Sequence, residues 1–146
     1  MSAHETVHSM LMGWRDNNRL LIRSHGTSDF QIEGIFTVPL NIDAYIQLAQ
    51  SFQTAFPGWQ LEHTLEEERE DYVKMLLHVS GVHTGILPNL IPHLPPIQPT
   101  GIHFQVADIP VEFFLRNNKV ALEVGNEISQ QKCLSLYEQL GATVAL

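Results

Sequence analysis

The sequence has 146 residues, of which 44 % are hydrophobic, and carries a formal net charge of −8 from 16 acidic and 8 basic side chains. This length predicts one domain over residues 1–146, and the acidic balance argues against binding to nucleic acid or to an anionic membrane surface. No apolar run reaches the ~20 residues of a membrane span, no signal peptide is visible, and the single cysteine, Cys133, permits no internal disulfide, so we expect a soluble cytoplasmic protein.

The N-terminal segment predicts an amphipathic helix that ends near residues 17–18. His4 and His8 are four residues apart on this helix, which is compatible with a transition-metal site or with a loose chain terminus, and we favour the loose terminus. Residues 19–38 predict short extended pieces. In the N-terminal helix, the apolar residues recur at helical spacing, at Val7, Met10, Leu11 and Trp14.

Residues 41–56 predict a second helix, with Asn41 as its N-cap and Pro57 at its end. Residues 59–65 then alternate as a strand, and the charged run 66–71 predicts a solvated turn before a second strand at 72–80. The alternation in that second strand directs one set of side chains to the interior: Val73, Met75, Leu77 and Val79.

Residues 81–101 predict a functional loop or lid, because a long proline-rich stretch is unusual inside a compact domain. A long strand over 102–116 follows, in which Pro110 suggests a bulge or an edge position. Residues 117–118 (Asn-Asn) predict a tight turn to a partner strand at 119–124, and a last helix spans about 129–140. Helices segregated from antiparallel hairpins indicate an α+β fold.

Four short segments resemble the SnoaL-like polyketide cyclase family. Residues 55–59 (AFPGW) resemble the aFPD turn that closes the family's second helix, and residues 81–85 (GVHTG) resemble its GTHTG signature. Residues 99–101 (PTG) and 139–142 (QLGA) resemble the ends of its next loop and of its C-terminal stretch. The segments keep the family's order, and the resemblance covers roughly residues 30–142.

The resemblance implies the nuclear-transport-factor-2-like fold, a cone-shaped curved antiparallel sheet packed with about three helices around an apolar pocket. It also implies a homodimer and, as in characterised members, an intramolecular aldol ring closure. Members usually carry a Glu-x-Trp motif on the last strand, followed by an acidic residue that acts as acid and base. Here residues 119–128 read KVALEVGNEI, without Trp or Asp, so Glu123 and Glu127 are the candidates for that role.

An aldol closure requires a carboxylate base in an apolar pocket and a hydrogen-bond donor for the enolate. Glu123 and Glu127 share strand parity if the strand continues, and the alternative is that both face solvent. His83 shares parity with the inward strand residues and is the candidate donor, the alternative being a core histidine. The aromatic candidates for contact with a flat ligand, each of which could equally be core, are Phe36, Phe52, Trp59 and Phe104.

The sequence contains no Gly-rich phosphate loop, no zinc-ligand spacing and no nucleophile elbow, so we expect neither cofactor nor metal. Three functions are compatible with these patterns. The first is a cyclase or isomerase acting on a small apolar or aromatic carbonyl compound. The second is a protein that binds such a compound without turnover, and the third is an oligomeric scaffold with a filled pocket.

Overall fold

In the computed structural model the described residues are 1–36, 38–88 and 95–142, and they form four helices and six strands. One six-stranded sheet has the order β2-β1-β6-β5-β4-β3; it is curved and does not close on itself. Every neighbouring pair is antiparallel except β1 and β6, which run parallel. The elements are α1 (Ala3–Arg15), α2 (Arg19–His25), β1 (Gly26–Glu33), β2 (Leu40–Asn41), α3 (Ile42–Ala55), β3 (Gln60–Arg69), β4 (Tyr72–Val82), β5 (His103–Arg116), β6 (Lys119–Val124) and α4 (Glu127–Gln139).

The predicted α+β fold with a cone-like curved sheet is confirmed, with two differences in detail. The sheet is mixed, because β1 pairs in parallel with β6. The prediction of extended structure from residue 19 onward is wrong, because Arg19–His25 forms α2, which raises the helix count from about three to four. The Asn18 side chain caps α2 by accepting a hydrogen bond from the Leu21 amide. Asn18 is thus a sequence signal for the start of a helix, and the two leucines and the isoleucine of this segment obscured it.

The charged run 66–71 is mostly strand, contrary to the predicted turn. β3 extends to Arg69 and pairs with β4 across a register shift between Leu65 and Glu67. Only Glu70 and Asp71 form the turn, and Asp71 takes a positive φ of 59°. A strand can carry this much charge because the end of the hairpin is exposed, so the charged side chains stay in water.

A bulge in β5 keeps one set of side chains on the concave face of the sheet. The register against β4 moves by one residue between Val106 and Ile109, and Asp108 adopts a positive φ of 55°. Burial therefore changes parity, from Phe104 and Val106 before the bulge to Ile109 and Val111 after it. The irregularity predicted at Pro110 thus lies two residues earlier, at 107–108.

The N-terminal segment is a docked helix, and the interpretation as a loose terminus is wrong. Ser2 and Glu5 form a capping box at its start, and Val7, Met10 and Leu11 are buried. His8 Nδ1 lies 2.7 Å from Nε2 of His63 on β3. Helix α1 therefore packs against the sheet through this contact and through its apolar side.

The predicted lid, residues 81–101, lies partly outside the described residues, which do not include 89–94. Its flanks meet in an isolated antiparallel bridge between Leu87 and Ile97. Among the described residues, no helix combines the length and apolar character that crossing a membrane would require.

Candidate functional site

A cavity of about 100 Å³, measured as the space open to the centre of a water molecule, lies between the concave face of the sheet and helices α1, α3 and α4. This volume has room for several water molecules. Most of the lining residues are aliphatic or aromatic, and a few carry polar groups. The apolar lining includes Leu11, Trp14, Ile32, Ile35, Phe36, Leu48, Phe52, Leu61, Leu77, Val79, Val106, Ile109, Val111 and Leu136, and the other lining residues are Tyr45, Glu123, Lys132, Cys133 and Tyr137.

Glu123 places a carboxyl group in this apolar wall. It lies on β6, between Ile32 of β1 and Phe113 of β5, and its side chain is only 5 % exposed. A register shift in the β5–β6 pairing makes Ala121 an extra residue, so Val120 and Glu123 both face the interior although they are three positions apart. The bulge is therefore what directs the carboxyl group into the cavity.

Burial raises the pKa of Glu123 to about 8, although a hydrogen bond from Tyr45 acts in the opposite direction. The Tyr45 hydroxyl lies 3.4 Å from Oε1 of Glu123, a long distance that makes for a weak bond. With a pKa near 8, about nine tenths of the carboxyl group is protonated at pH 7. The group can therefore both take and give a proton close to neutral pH.

Two tyrosines of the lining are functional candidates that the sequence did not reveal. Burial raises the pKa of Tyr45 well above its ordinary value, and burial also raises the pKa of Tyr137. Both phenols are therefore neutral hydrogen-bond donors at neutral pH. Both lie within predicted helices, 41–56 and about 129–140, and the only available signal was the hydroxyl that each brings to a helix packed on the core.

Helix α4 adds Lys132 and Cys133 to the same wall. The Cys133 thiol is a poor nucleophile, because burial, together with the neighbouring Glu123, raises its pKa to about 12. Lys132 is the one cationic residue of the lining and is half-buried. Ser129 anchors the start of the helix, since its hydroxyl donates to the Pro110 carbonyl at 2.5 Å.

The structure brings together three of the predicted site residues, Glu123, Phe36 and Phe52, in the cavity lining. Trp59 and Phe104 are buried but do not line the cavity. Trp59 packs against two lining residues, Phe52 and Trp14, with ring centroids 5.5 and 5.0 Å apart.

His83 also lies outside the lining, despite its inward parity. It follows the end of β4 and packs against Phe56, with ring centroids 5.5 Å apart, and Phe56 in turn packs against Phe104 at 4.6 Å. Its Nδ1 lies 2.9 Å from the Thr100 hydroxyl and accepts a hydrogen bond from the Thr100 amide. Burial lowers the pKa of His83, so the ring is a neutral core histidine.

The predicted strand continuation to Glu127 is wrong. β6 ends at Val124, and the Asn126 side chain caps α4 in a capping box with Ser129. Glu127 is the first residue of that helix and is exposed to solvent, where an acidic group interacts favourably with the helix dipole. Glu127 therefore does not reach the cavity.

Within residues 1–36, 38–88 and 95–142, no group of three or more His, Cys, Asp or Glu side chains is arranged to hold a metal ion. His4 and His8 share the face of α1 that meets His63, with ring centroids 5.6 and 5.0 Å from the His63 ring. The 2.7 Å separation of His8 and His63 is that of a hydrogen bond between two imidazoles.

No protein-family model and no curated protein sequence matches the chain, whereas solved structures do. A proposed SnoaL-like polyketide cyclase from Jannaschia sp. CCS1 has a TM-score of 0.68 at 14 % identity, over 97 % of this chain and 94 % of that one. A proposed polyketide cyclase from Xanthomonas campestris has a TM-score of 0.70 at 13 % identity, over 94 % and 96 %. AclR from Streptomyces galilaeus, a proposed hydroxylase, has a TM-score of 0.68 at 18 % identity, over 99 % and 87 %.

These similarities extend over nearly the whole chain, while the identities are low. Fold is therefore what they establish, and function is not carried over by fold alone. The chain has the SnoaL-like fold that its sequence segments predicted.

Proposed function

We propose that this protein binds a small apolar or aromatic carbonyl compound in the cavity and catalyses its aldol cyclisation or isomerisation, with Glu123 as acid and base. The observation that carries the proposal is a single buried carboxyl group in an otherwise apolar cavity, within reach of a neutral phenol. Such an environment tunes a carboxylic acid toward neutral pH without any cofactor.

In the proposed reaction, the Glu123 carboxylate removes a proton from the carbon next to a carbonyl group, and the C–H electron pair forms the enolate. The enolate oxygen is stabilised by a phenol, for which Tyr45 and Tyr137 are the candidates. The enolate carbon then attacks a second carbonyl carbon of the same molecule. The resulting alkoxide takes the proton back from the Glu123 carboxylic acid, so that atoms and charge balance.

A general probe can test the base without knowledge of the substrate. In 5-nitrobenzisoxazole, removal of one C–H proton breaks the N–O bond and releases a coloured cyanophenolate. We expect the wild-type protein to accelerate this reaction, with a rate that rises with pH as Glu123 ionises around pH 8. Glu123→Gln should lose the acceleration.

Glu127→Gln is the matched control, because it removes an acidic group that is exposed and remote from the cavity. It should retain the wild-type rate and the wild-type pH profile. Equal rates for wild type and Glu123→Gln, with both proteins folded, would contradict the proposed role of Glu123.

A second candidate function is binding without turnover, and the position of His83 favours it. The predicted donor for the enolate is absent from the lining, whose donors are instead the phenols of Tyr45 and Tyr137 and the side chain of Lys132. A carbonyl ligand that is recovered chemically unchanged from the wild-type protein after long incubation, with no proton exchange at its acidic carbon, would support this function. A filled scaffold is less compatible with the cavity.

Two further parts of the proposal derive from the sequence alone. We propose a homodimer, on the resemblance to SnoaL-like proteins, and a cytoplasmic location, on the single cysteine. Light scattering of the purified protein tests the first, and fractionation of the source cells tests the second.

A further inference from the structure

The charge of the cavity lining differs from that of the protein as a whole. The chain carries a formal net charge of −8, yet the lining contains one cation, Lys132, and one acidic side chain, Glu123. Because burial keeps Glu123 largely protonated at pH 7, it does not neutralise the ammonium group. Lys132 is therefore the one side chain with a full formal charge among the lining residues at pH 7.

Within residues 1–36, 38–88 and 95–142, no ion pair accounts for the charge of Lys132. Among the described residues the ion pairs all involve arginine, at Arg15, Arg23, Arg69 and Arg116, and none involves Lys132. The helix itself offers no partner, since positions three and four residues away are Ile128, Ser129, Ser135 and Leu136.

Lys132 lies on the face of α4 that lines the cavity, which fits recognition of a ligand bound there. The residue is half-buried and contributes to the lining. A lysine stem commonly packs along apolar surface while its ammonium group stays near water. Glu123 on the sheet and Lys132 on the helix then provide two separate polar contacts for one ligand, with apolar wall between them.

We propose that the natural ligand is an apolar carboxylic acid, whose carboxylate pairs with the Lys132 ammonium group while its apolar body occupies the cavity. This inference rests on the proposed function in requiring a ligand in the cavity, and it adds the chemical class of that ligand. The same geometry disfavours ligands with a cationic group, which Lys132 would repel.

Cinnamate and cinnamamide form a matched pair of probes, because they share one apolar body and differ in a carboxylate against a neutral amide. Titration calorimetry of the wild-type protein at pH 7 should show cinnamate binding about tenfold more tightly than cinnamamide, as expected for a charge-assisted contact. Lys132→Met should abolish this difference, so that the two probes bind with equal affinity. Lys132→Arg should retain most of it.

Lys119→Met is the control, because Lys119 is exposed at the β5–β6 turn and outside the lining. It removes the same charge from the protein and should bind both probes as the wild type does. A loss of preference in Lys119→Met equal to that in Lys132→Met would overturn the inference in favour of a general charge effect.

The remaining outcomes separate this inference from the proposed function. Equal binding of both probes by the wild type would overturn the preference for an acid and leave the proposed function in place. Failure of both probes to bind would overturn this inference, while the benzisoxazole assay would still report on Glu123 independently. A cinnamate preference that persists in Lys132→Met would assign the anion contact to another residue and refute the role given to Lys132.

Discussion

Replacement of Glu123 by glutamine should change how the stability of the protein depends on pH. The pKa of Glu123 is about 8 in the folded protein, against an ordinary value of 4.5 that applies to the unfolded chain. Between these values the folded state holds a proton that the unfolded state has released. The contribution of Glu123 to stability is therefore largest below pH 4.5 and is lost as the pH rises toward 8.

The loss follows from the two pKa values. Linkage gives a decrease in the free energy of unfolding of about 1 kcal/mol at pH 5, about 3 kcal/mol at pH 7 and about 5 kcal/mol at pH 9, all relative to low pH. Glutamine does not ionise, so Glu123→Gln lacks this dependence. Its stability relative to the wild type should therefore rise by about 4 kcal/mol between pH 5 and pH 9.

Urea denaturation at pH 5, 7 and 9 measures the effect, with Glu127→Gln as the variant that lacks an exposed acid instead. The quantity compared is the free energy of unfolding of Glu123→Gln minus that of the wild type, followed from pH 5 to pH 9. Any cost of packing a glutamine that does not depend on pH cancels in this comparison. A difference between Glu123→Gln and wild type that stays the same from pH 5 to pH 9 would refute a buried carboxyl group with a raised pKa.

Three other outcomes are expected. Burial and the nearby His8 and His4 lower the pKa of His63, so stability should fall as the pH drops below 6.5, and His63→Gln should weaken that fall in thermal melts from pH 7.5 to 5.5. His83→Ala should lower the free energy of unfolding by about 3 kcal/mol in urea denaturation, because it empties a fully buried site. The variant should keep the wild-type benzisoxazole rate. Loss of that rate in folded protein would show that His83 takes part in the reaction. Asn126→Ala should cost about 1 kcal/mol by removing the cap of α4, and an unchanged denaturation midpoint would count against that cap.

Periodicity predicted those elements of the fold whose burial is one-sided. Asn41 caps α3 as predicted, with its side chain accepting a hydrogen bond from the Ala44 amide. The turn at Asn117 and Asn118 has positive φ at both residues, as a two-residue hairpin requires. Helix α2 was missed because it is seven residues long, and a segment of that length does not establish a helical period.

The candidate site was harder to predict than the fold, because strand parity alone does not locate a cavity. Simple alternation from Glu123 leads to Glu127, but the strand ends at Val124 and a helix cap follows. Alternation from Val79 does lead to an inward His83, yet the cavity does not extend to that end of β4. Parity indicates which side of a sheet a residue faces, whereas the position of an empty volume depends on the curvature of the sheet and the placement of the helices.

Helix α4 supplies most of the polar side chains of the cavity lining. Its lining residues, Lys132, Cys133, Leu136 and Tyr137, recur at the spacing of one helical face. Each of them could change without altering a strand pairing, because α4 is held on β5 by other residues, Ser129 at its start and Gln139 at its end. In the proposed function, the sheet therefore supplies the carboxyl group, and one face of α4 determines which ligand that carboxyl group contacts.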